Sequence, residues 1–161
     1  MFGGHCRDLQ SYDNDVRAGG LNYVYKNLDG DLDSHDNKAQ GYTSSGFLFK
    51  SVVGGRSYND MPTATAASGS APAISLSRDI AGGGAYTSGL AIDTNFCLNN
   101  GATGAKFVSI EAGCSGTFTY NAFTQNAGSL NANPFNAGAT NYASFGAWKA
   151  AVGTTDAANF A

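Results

Sequence analysis

The chain has 161 residues and a mass of 16.5 kDa, the size of one domain, and no linker divides it. Charged residues make up only 13% of it while Gly numbers 22, which is typical of strands and turns rather than of exposed helices. A net charge of −3 with scattered basic residues argues against nucleic acid as a partner, and no apolar stretch approaches the roughly 18 residues that span a membrane.

The N-terminal residues MFGGHCRDLQ have neither the basic region nor the apolar core of an export signal. The low Lys content and the many Asn, Gly, Ser and Thr residues nevertheless fit an extracellular or particle-surface protein. We therefore expect that location, reached either through a signal lost upstream or through assembly with other subunits.

Two motifs repeat in the first part of the chain. The segments Ser11–Asn14, Ser34–Asn37 and Ser57–Asp60 begin 23 residues apart, and Tyr23–Lys26 is followed by Phe47–Lys50 after 24 residues. A fixed period of about 20 to 50 residues is the mark of a solenoid, in which each repeat buries its apolar face against its neighbours. The sequence therefore predicts about five coils.

Strands rather than helices are predicted between the turns. The segments are short and β-branched or aromatic, and Gly, Asn, Asp or Ser residues bound them. They are Asn22–Lys26, Gly46–Lys50, Ile74–Ser77, Leu90–Asp93, Phe107–Ile110 and Thr117–Tyr120. We predict an all-β fold, a short right-handed parallel β-helix, in which Asn14 and Asn37 stack in a structural turn ladder.

The regular period fades after Asp60. The small, polar stretch Thr63–Pro72 predicts a loop thrown out of one coil rather than a domain linker. The run Gly82–Gly84 lacks the strand, helix and acidic partner of a nucleotide-binding fingerprint, so it predicts a flexible turn. We expect one domain over residues 1–161, with coils in 1–125 and a C-terminal capping segment in 126–161.

The capping segment contains the one predicted helix. Ser144 can cap it, Phe145, Trp148 and Val152 fall on one face, and Gly153 suits its exit. We expect Trp148 to cover the open end of the core, with stacking on a sugar as the alternative. No comparable cap is visible at the N-terminus, so we expect either an upstream continuation of the β-helix or self-association through an uncovered first coil.

These residues also carry a family resemblance. The segment Ala143–Asp156 resembles the short closing helix, with a Trp and then Gly and Asp, of right-handed parallel β-helix proteins of the pectate lyase-like superfamily. The SYDN and SHDN turns are similar to Asn-bearing turns of the same proteins. Phe2–His5 followed by Leu9–Asn14 resembles the stretch after the catalytic lysine in one class of polysaccharide lyases.

The resemblance covers residues 1 to about 60 and 126 to 156, and it identifies the chain as the C-terminal part of a polysaccharide lyase-like protein. It implies binding of an acidic polysaccharide. In active members it also implies calcium-assisted β-elimination, in which calcium acidifies the proton beside the uronate group and a Lys or Arg acts as base.

The densest acidic cluster is Asp29, Asp31 and Asp33, followed by Asp36. On one strand the first three would share a face, and an oxygen-rich face suits calcium. The sixth and twelfth positions depart from the EF-hand pattern. A calcium site and a solvated acidic turn are the two interpretations.

Lys26, Lys50 and Arg56 are the candidate lyase bases because they lie near this cluster. Such a base needs its pKa, about 10.4 for free Lys, lowered by burial or by neighbours. Lys26 and Lys50 occupy equivalent repeat positions, so outward-facing solubility residues are the alternative interpretation. Tyr25 and Tyr58 are the candidate substrate-binding residues.

The cysteines Cys6, Cys97 and Cys114 match no zinc spacing. A Cys97–Cys114 disulfide and three buried free thiols are both compatible with the sequence.

Two functions follow from this reading. The first is an extracellular carbohydrate-active β-helix that binds an acidic polysaccharide, either with or without cleaving it by β-elimination. The alternative is a structural module of a filament, phage tail or particle surface without catalysis, which assembles through its first coil.

Overall fold

The strands wind as a parallel β-solenoid of about five turns. The computed structural model describes residues 7–152 and 157–160, without the side chains of 18, 19, 21 and 157–160. The features predicted at Phe2–His5, Cys6 and Gly153 lie outside this part of the chain. The predicted all-β fold, a parallel β-helix with a short C-terminal helix, is confirmed.

In chain order the elements are β1 (Leu9–Tyr12), β2 (Asp15–Asp29), β3 (Leu32–His35), β4 (Lys38–Val53), β5 (Arg56–Tyr58), β6 (Met61–Ala64), a 3₁₀ turn (Ala66–Ser68), β7 (Pro72–Ser77), β8 (Leu90–Asp93), β9 (Phe96–Asn100), β10 (Lys106–Ile110), β11 (Gly116–Thr119), β12 (Ala122–Ala127), β13 (Phe135–Ala137), β14 (Thr140–Tyr142), α1 (Phe145–Val152) and β15 (Ala157–Phe160).

The solenoid has three faces. The first is the parallel sheet β1-β3-β5-β8-β11. The strands β2 and β4 are long because each runs round a corner and supplies two faces: the start of β4 pairs with β6, and its later part pairs with β7. The second face continues through β9, β12 and β15, and the third through β10 and β13.

Aromatic residues of the 24-residue repeat build the core of the third face. Tyr23 stacks on Phe47 with ring centroids 4.6 Å apart, and Tyr25 stacks on Phe49 at 5.4 Å. All four are buried, and the next coil continues the rows with apolar residues of β7. The aromatic positions of this repeat therefore face the core, and Val24 between them faces outward, because side chains alternate between the two sides of each strand.

The predicted turn ladder is present and runs through all five coils. Asn14 donates from Nδ2 to Asn37 Oδ1 at 2.9 Å, and Asn37 donates from Nδ2 to Asp60 Oδ1 at 3.0 Å. The backbone amide of Asp60 donates to Asn95 Oδ1 at 2.8 Å, and Asn95 donates from Nδ2 to Asn121 Oδ1 at 3.0 Å. Successive ladder residues are 23, 23, 35 and 26 positions apart.

Asp60 is the one carboxylate in this ladder, and its neighbours adapt to it. The hydroxyls of Ser34 and Ser57 both donate to Asp60 Oδ2 at 2.8 Å, on the side where an Asn would present its NH₂ group. Burial raises the pKa of Asp60, while hydrogen bonds from the Asn37 amide and the two serines act in the opposite direction. The two serines of the repeat are thus part of the ladder.

The third coil is longer than the others because it makes two excursions. The first, Thr65–Ala71, contains the 3₁₀ turn and is shorter than the predicted loop, since β6 extends to Ala64 and β7 begins at Pro72. The second, Arg78–Gly89, includes the glycine run and connects β7 to β8. These insertions explain why the period fades after Asp60.

The helix α1 closes the C-terminal end of the core. Ser144 Oγ accepts a hydrogen bond from the Ala147 amide at 3.3 Å, as expected of an N-cap. Trp148 is fully buried and stacks on Phe135 with centroids 5.0 Å apart. Core packing, rather than sugar stacking, is therefore the role of Trp148. Within the described residues, no helix has the length and apolarity needed to cross a membrane.

We predict that Asn37→Ala lowers the free energy of unfolding by at least about 2 kcal/mol, because a buried polar group left without its partner costs about 1–3 kcal/mol. The change removes a donor to Asp60 and an acceptor for Asn14. Urea denaturation at constant pH measures it. Asn141→Ala, at an exposed position of β14, is the control and should change stability little. Equal stability of the two variants would contradict a role for the ladder.

Candidate functional site

A groove of about 490 Å³ runs along the corner between the first and second faces. It crosses four successive coils, about 14 Å at the usual strand spacing of about 4.8 Å. Seven of its nine lining residues are polar or charged. The lining residues are Asp13, Asn14, Asp15, Asp36, Lys38, Asn59, Met61, Thr94 and Phe96.

The turn geometry of the repeat creates this groove. The residue before each ladder position has a left-handed backbone, with φ between 51° and 57° for Asp13, Asp36, Asn59, Thr94 and Tyr120. Asp and Asn tolerate this conformation better than most residues. The ladder side chains hold these turns in line, so their neighbours form an outward row along the solenoid.

Negative charge predominates in the groove. Asp13, Asp15 and Asp36 line it together with a single cation, Lys38. The Arg17 guanidinium binds Asp15, with Nη2 to Oδ2 at 2.7 Å, and this hydrogen bond holds the pKa of Asp15 below its usual value. The carboxylates are exposed and accept hydrogen bonds readily.

Exposed aromatic rings flank the same corner. Among the described residues, six large hydrophobic side chains are exposed, and three of them, Tyr12, Phe96 and Tyr120, lie here. Phe96 lines the groove and is 40% exposed. Tyr12 directly precedes the turn residue of the first coil, and Tyr120 is the turn residue of the fifth coil. The three rings are spread along this corner, with Tyr12 in the first coil, Phe96 in the fourth and Tyr120 in the fifth.

A column of stacked planar groups borders the groove on the first face. Tyr12 stacks on His35 with centroids 5.2 Å apart, and His35 stacks on Tyr58 at 4.9 Å. The Arg56 guanidinium lies 3.9 Å from the Tyr58 ring centroid. Of the predicted site residues, Arg56 and Tyr58 are thus brought together, as a cation on an aromatic ring.

Lys26 and Lys50 lie elsewhere, on the third face. They are partners in the β2–β4 register, which confirms their equivalent repeat positions. Both contact the buried carboxylate of Asp79, with Lys26 Nζ at 2.9 Å and Lys50 Nζ at 3.5 Å. Asn27 Nδ2 donates to the same carboxylate at 3.2 Å. The hydrogen bond from Lys26 is the main cause that lowers the pKa of Asp79 to about 2.

The excursion Arg78–Gly89 delivers this carboxylate to the two lysines. The Asp79 amide donates to Ser51 Oγ at 2.7 Å, and the glycine run passes directly over the ion pairs. A Cβ on Gly82 would overlap the Asp79 carboxylate, and one on Gly84 would overlap the Ser51 hydroxyl. The glycines are therefore required for close approach of the backbone.

The predicted calcium ligands do not converge. No three His, Cys, Asp or Glu side chains are grouped as a metal site within the described ranges, which include all four aspartates. Asp29 ends β2, Asp31 lies in the following turn, Asp33 is on β3 and Asp36 is in the next turn. The expectation that the first three share one strand face is wrong, because the chain turns at Gly30, with φ 139°.

Two other sequence predictions have different outcomes from those expected. Tyr25 is 5% exposed and its hydroxyl lies 2.9 Å from Ser34 Oγ, so its ring is part of the core rather than available to a substrate. Cys114 carries a free thiol, so the predicted Cys97–Cys114 disulfide is not formed. Cys97 points into the core from β9, whereas Cys114 lies in the half-buried turn after β10.

Of the groove residues, only Asp36 was named as a site residue from the sequence, as a candidate calcium ligand, although a signal for Asp13 also existed. Asp13 and Asp36 immediately precede the repeated Asn and are therefore the outward residues of each turn. Phe96 and Asp79 had no such signal, because the longer third coil separates them from the repeat.

No family model matches the chain, and neither a curated protein nor a solved structure does so. The β-helix fold thus rests on the strand pairing itself. Membership of the pectate lyase-like superfamily stays a prediction.

We predict that Asp79→Asn lowers the thermal midpoint at pH 7. The pKa of Asp79 is about 2 in the folded protein against 3.8 for an unperturbed Asp, so its contribution is present above about pH 4 and is lost between about pH 4 and pH 2. The variant should accordingly lose less stability over that interval than the unaltered protein. Thermal melts across pH test this, with the exposed Asp31→Asn as control. Parallel pH curves for the unaltered protein and Asp79→Asn would contradict it.

Proposed function

We propose that this protein binds a neutral glycan chain along the corner groove, without cleaving it. The observation that carries the proposal is the combination, over four coils, of carboxylate and amide groups with exposed aromatic rings. Sugar hydroxyls donate to carboxylates and exchange hydrogen bonds with amides, while the C–H faces of sugar rings pack on aromatic rings. A groove of this length suits an extended chain better than a single small ring.

Charge separates neutral from acidic glycans. An acidic polysaccharide, which the family resemblance implies, would bring carboxylates against Asp13 and Asp36, whereas Asp15 is paired with Arg17 and Lys38 is the one cation in the lining. Like charges at close range are repelled. A neutral chain meets the same groups as hydrogen-bond acceptors only, so it is the better fit.

The three candidate bases named from the sequence lie outside the groove, which argues against their acting in β-elimination there. Lys26 and Lys50 are engaged with Asp79 on the third face, and Arg56 lies against the Tyr58 ring. None of the three lines the groove. A general base must lie within hydrogen-bond reach of the proton that it removes.

Isothermal titration calorimetry with cellohexaose, xylohexaose and mannohexaose tests the proposal. We expect at least one of them to bind, and Phe96→Ala to weaken that binding by about fivefold or more, as loss of an aromatic contact costs about 1 kcal/mol. Ile80→Ala, which truncates another exposed apolar side chain away from the groove, is the matched control and should bind normally.

Hexagalacturonate, with and without calcium, is the opposing ligand. Tighter binding of this anion than of every neutral oligosaccharide would contradict the charge argument. Release of unsaturated product, seen as new ultraviolet absorbance, would contradict the absence of cleavage and support the lyase reading. Binding of none of the four oligosaccharides would remove the proposed function.

Assembly through the first coil is the second candidate function. Within the described part of the chain, β1 pairs only with β3 and β2 only with β4, so one side of each strand is unpaired. Unpaired strand edges are templates for pairing with another chain. We rank it second because two like copies meeting there would bring together the exposed carboxylates of Asp8, Asp13 and Asp15.

Sedimentation velocity over a range of protein concentrations separates the two candidates. Glycan binding alone predicts a monomer throughout. Concentration-dependent dimers or longer assemblies would favour the structural function.

A further inference from the structure

Among residues 7–152, the column on the first face has one end that is covered and one that is open. Arg56 covers Tyr58, and the strand partner of Tyr58 in the following coil is Asp93, which has no ring. His35 has rings on both faces. Tyr12 stacks on His35 with an interplanar angle of 7° and is nevertheless 53% exposed.

The column also fixes the orientation of the Tyr12 ring. His35 Nδ1 lies 2.8 Å from Asp36 Oδ2. This contact holds the imidazole against the side of the Tyr12 ring that faces the second coil. A ring that is held in place before binding loses little conformational freedom when a ligand stacks on it. An exposed tyrosine on a mobile turn would lack this advantage.

We propose that the open side of Tyr12 is a stacking subsite for one sugar ring at the end of the bound glycan. This inference rests on the proposed function and adds to it the place of a terminal sugar residue. Asp13 and Asn14, which follow Tyr12 directly, are in the groove lining, so a chain that leaves the groove at this coil reaches Tyr12 next.

The charged groups around Tyr12 determine which kind of sugar can bind there. The exposed carboxylates of Asp13 and Asp36 accept hydrogen bonds from sugar hydroxyls, but they would repel an anionic ring, whereas Asp15 is already paired with Arg17. They would also repel the same acidic turn of a second copy of this chain. A neutral pyranose, with an apolar C–H face and hydroxyls at its edge, satisfies both the ring and the carboxylates.

The test uses the same three neutral hexasaccharides and compares Tyr12→Ala, Tyr12→Phe and Tyr86→Ala. We expect Tyr12→Ala to weaken binding at least about fivefold, and Tyr12→Phe to stay within about twofold because the stacking ring remains. Tyr86→Ala, which removes an exposed tyrosine in the Arg78–Gly89 excursion away from the groove, should leave affinity unchanged. Intermolecular NOEs should connect the Tyr12 ring protons to sugar C–H protons, a signal that a merely structural tyrosine would not give.

The outcomes separate the two proposals. If Phe96→Ala weakens binding and Tyr12→Ala does not, the groove function stands and the Tyr12 subsite is wrong. If no oligosaccharide binds the unaltered protein, both are wrong. If Tyr12→Ala instead abolishes a dimer seen by sedimentation velocity, the open face of Tyr12 is a protein contact and the subsite is overturned.

Discussion

The hydrogen-bond ladder at the first corner is the interaction on which the rest of this structure depends. It joins Asn14, Asn37, Asp60, Asn95 and Asn121 across five coils, with distances of 2.8–3.0 Å between neighbours. Because Asn37, Asp60, Asn95 and Asn121 are buried, each must find its partner in the adjacent coil or remain unsatisfied. This requirement fixes one residue of every coil in register, whatever the length of the coil.

That fixed register positions the surface groups. The residue before each ladder position has a left-handed backbone and points outward, so these residues form one row. The residues that precede them form a second row on the first face. One row supplies the groove carboxylates, and the next supplies the aromatic column of Tyr12, His35 and Tyr58. The buried ladder and the exposed groove are therefore two sides of the same turn, and a change in coil register would disperse both.

The sequence predicted the features that the 23-residue repeat contains, because equivalent residues of a solenoid share one environment. It predicted the stacking of Asn14 on Asn37 and, from the companion 24-residue repeat, the equivalence of Lys26 and Lys50. The capping helix with Trp148 lies outside the repeats and was predicted from its own local pattern. Prediction of the ladder residues from the sequence stopped where the regular period stopped. Asn95 and Asn121 belong to the ladder, but insertions set them 35 and 26 residues from their neighbours, which hides them from a search for a fixed spacing.

The candidate site was harder to predict than the fold, since it depends on which side of a turn each residue lies. Asp29, Asp31 and Asp33 were placed on one strand, and the turn at Gly30 separates them. Asp79 reaches the lysines only through the Arg78–Gly89 excursion, a contact between residues 53 and 29 positions apart in the chain that no local pattern encodes. The alternation of side chains along β2 shows that Tyr23 and Tyr25 share one side of the strand, but it does not show whether that side faces the core or the solvent.

The most direct test of the coil stacking is a nuclear Overhauser spectrum of the labelled protein in solution. Cross-peaks should connect the side-chain amide of Asn14 with Asn37, and that of Asn95 with Asn121, since each pair is hydrogen-bonded at 2.9–3.0 Å. Absence of both cross-peaks, together with the short Cα-proton contacts of antiparallel hairpins between successive strands, would contradict the solenoid and the groove built on it.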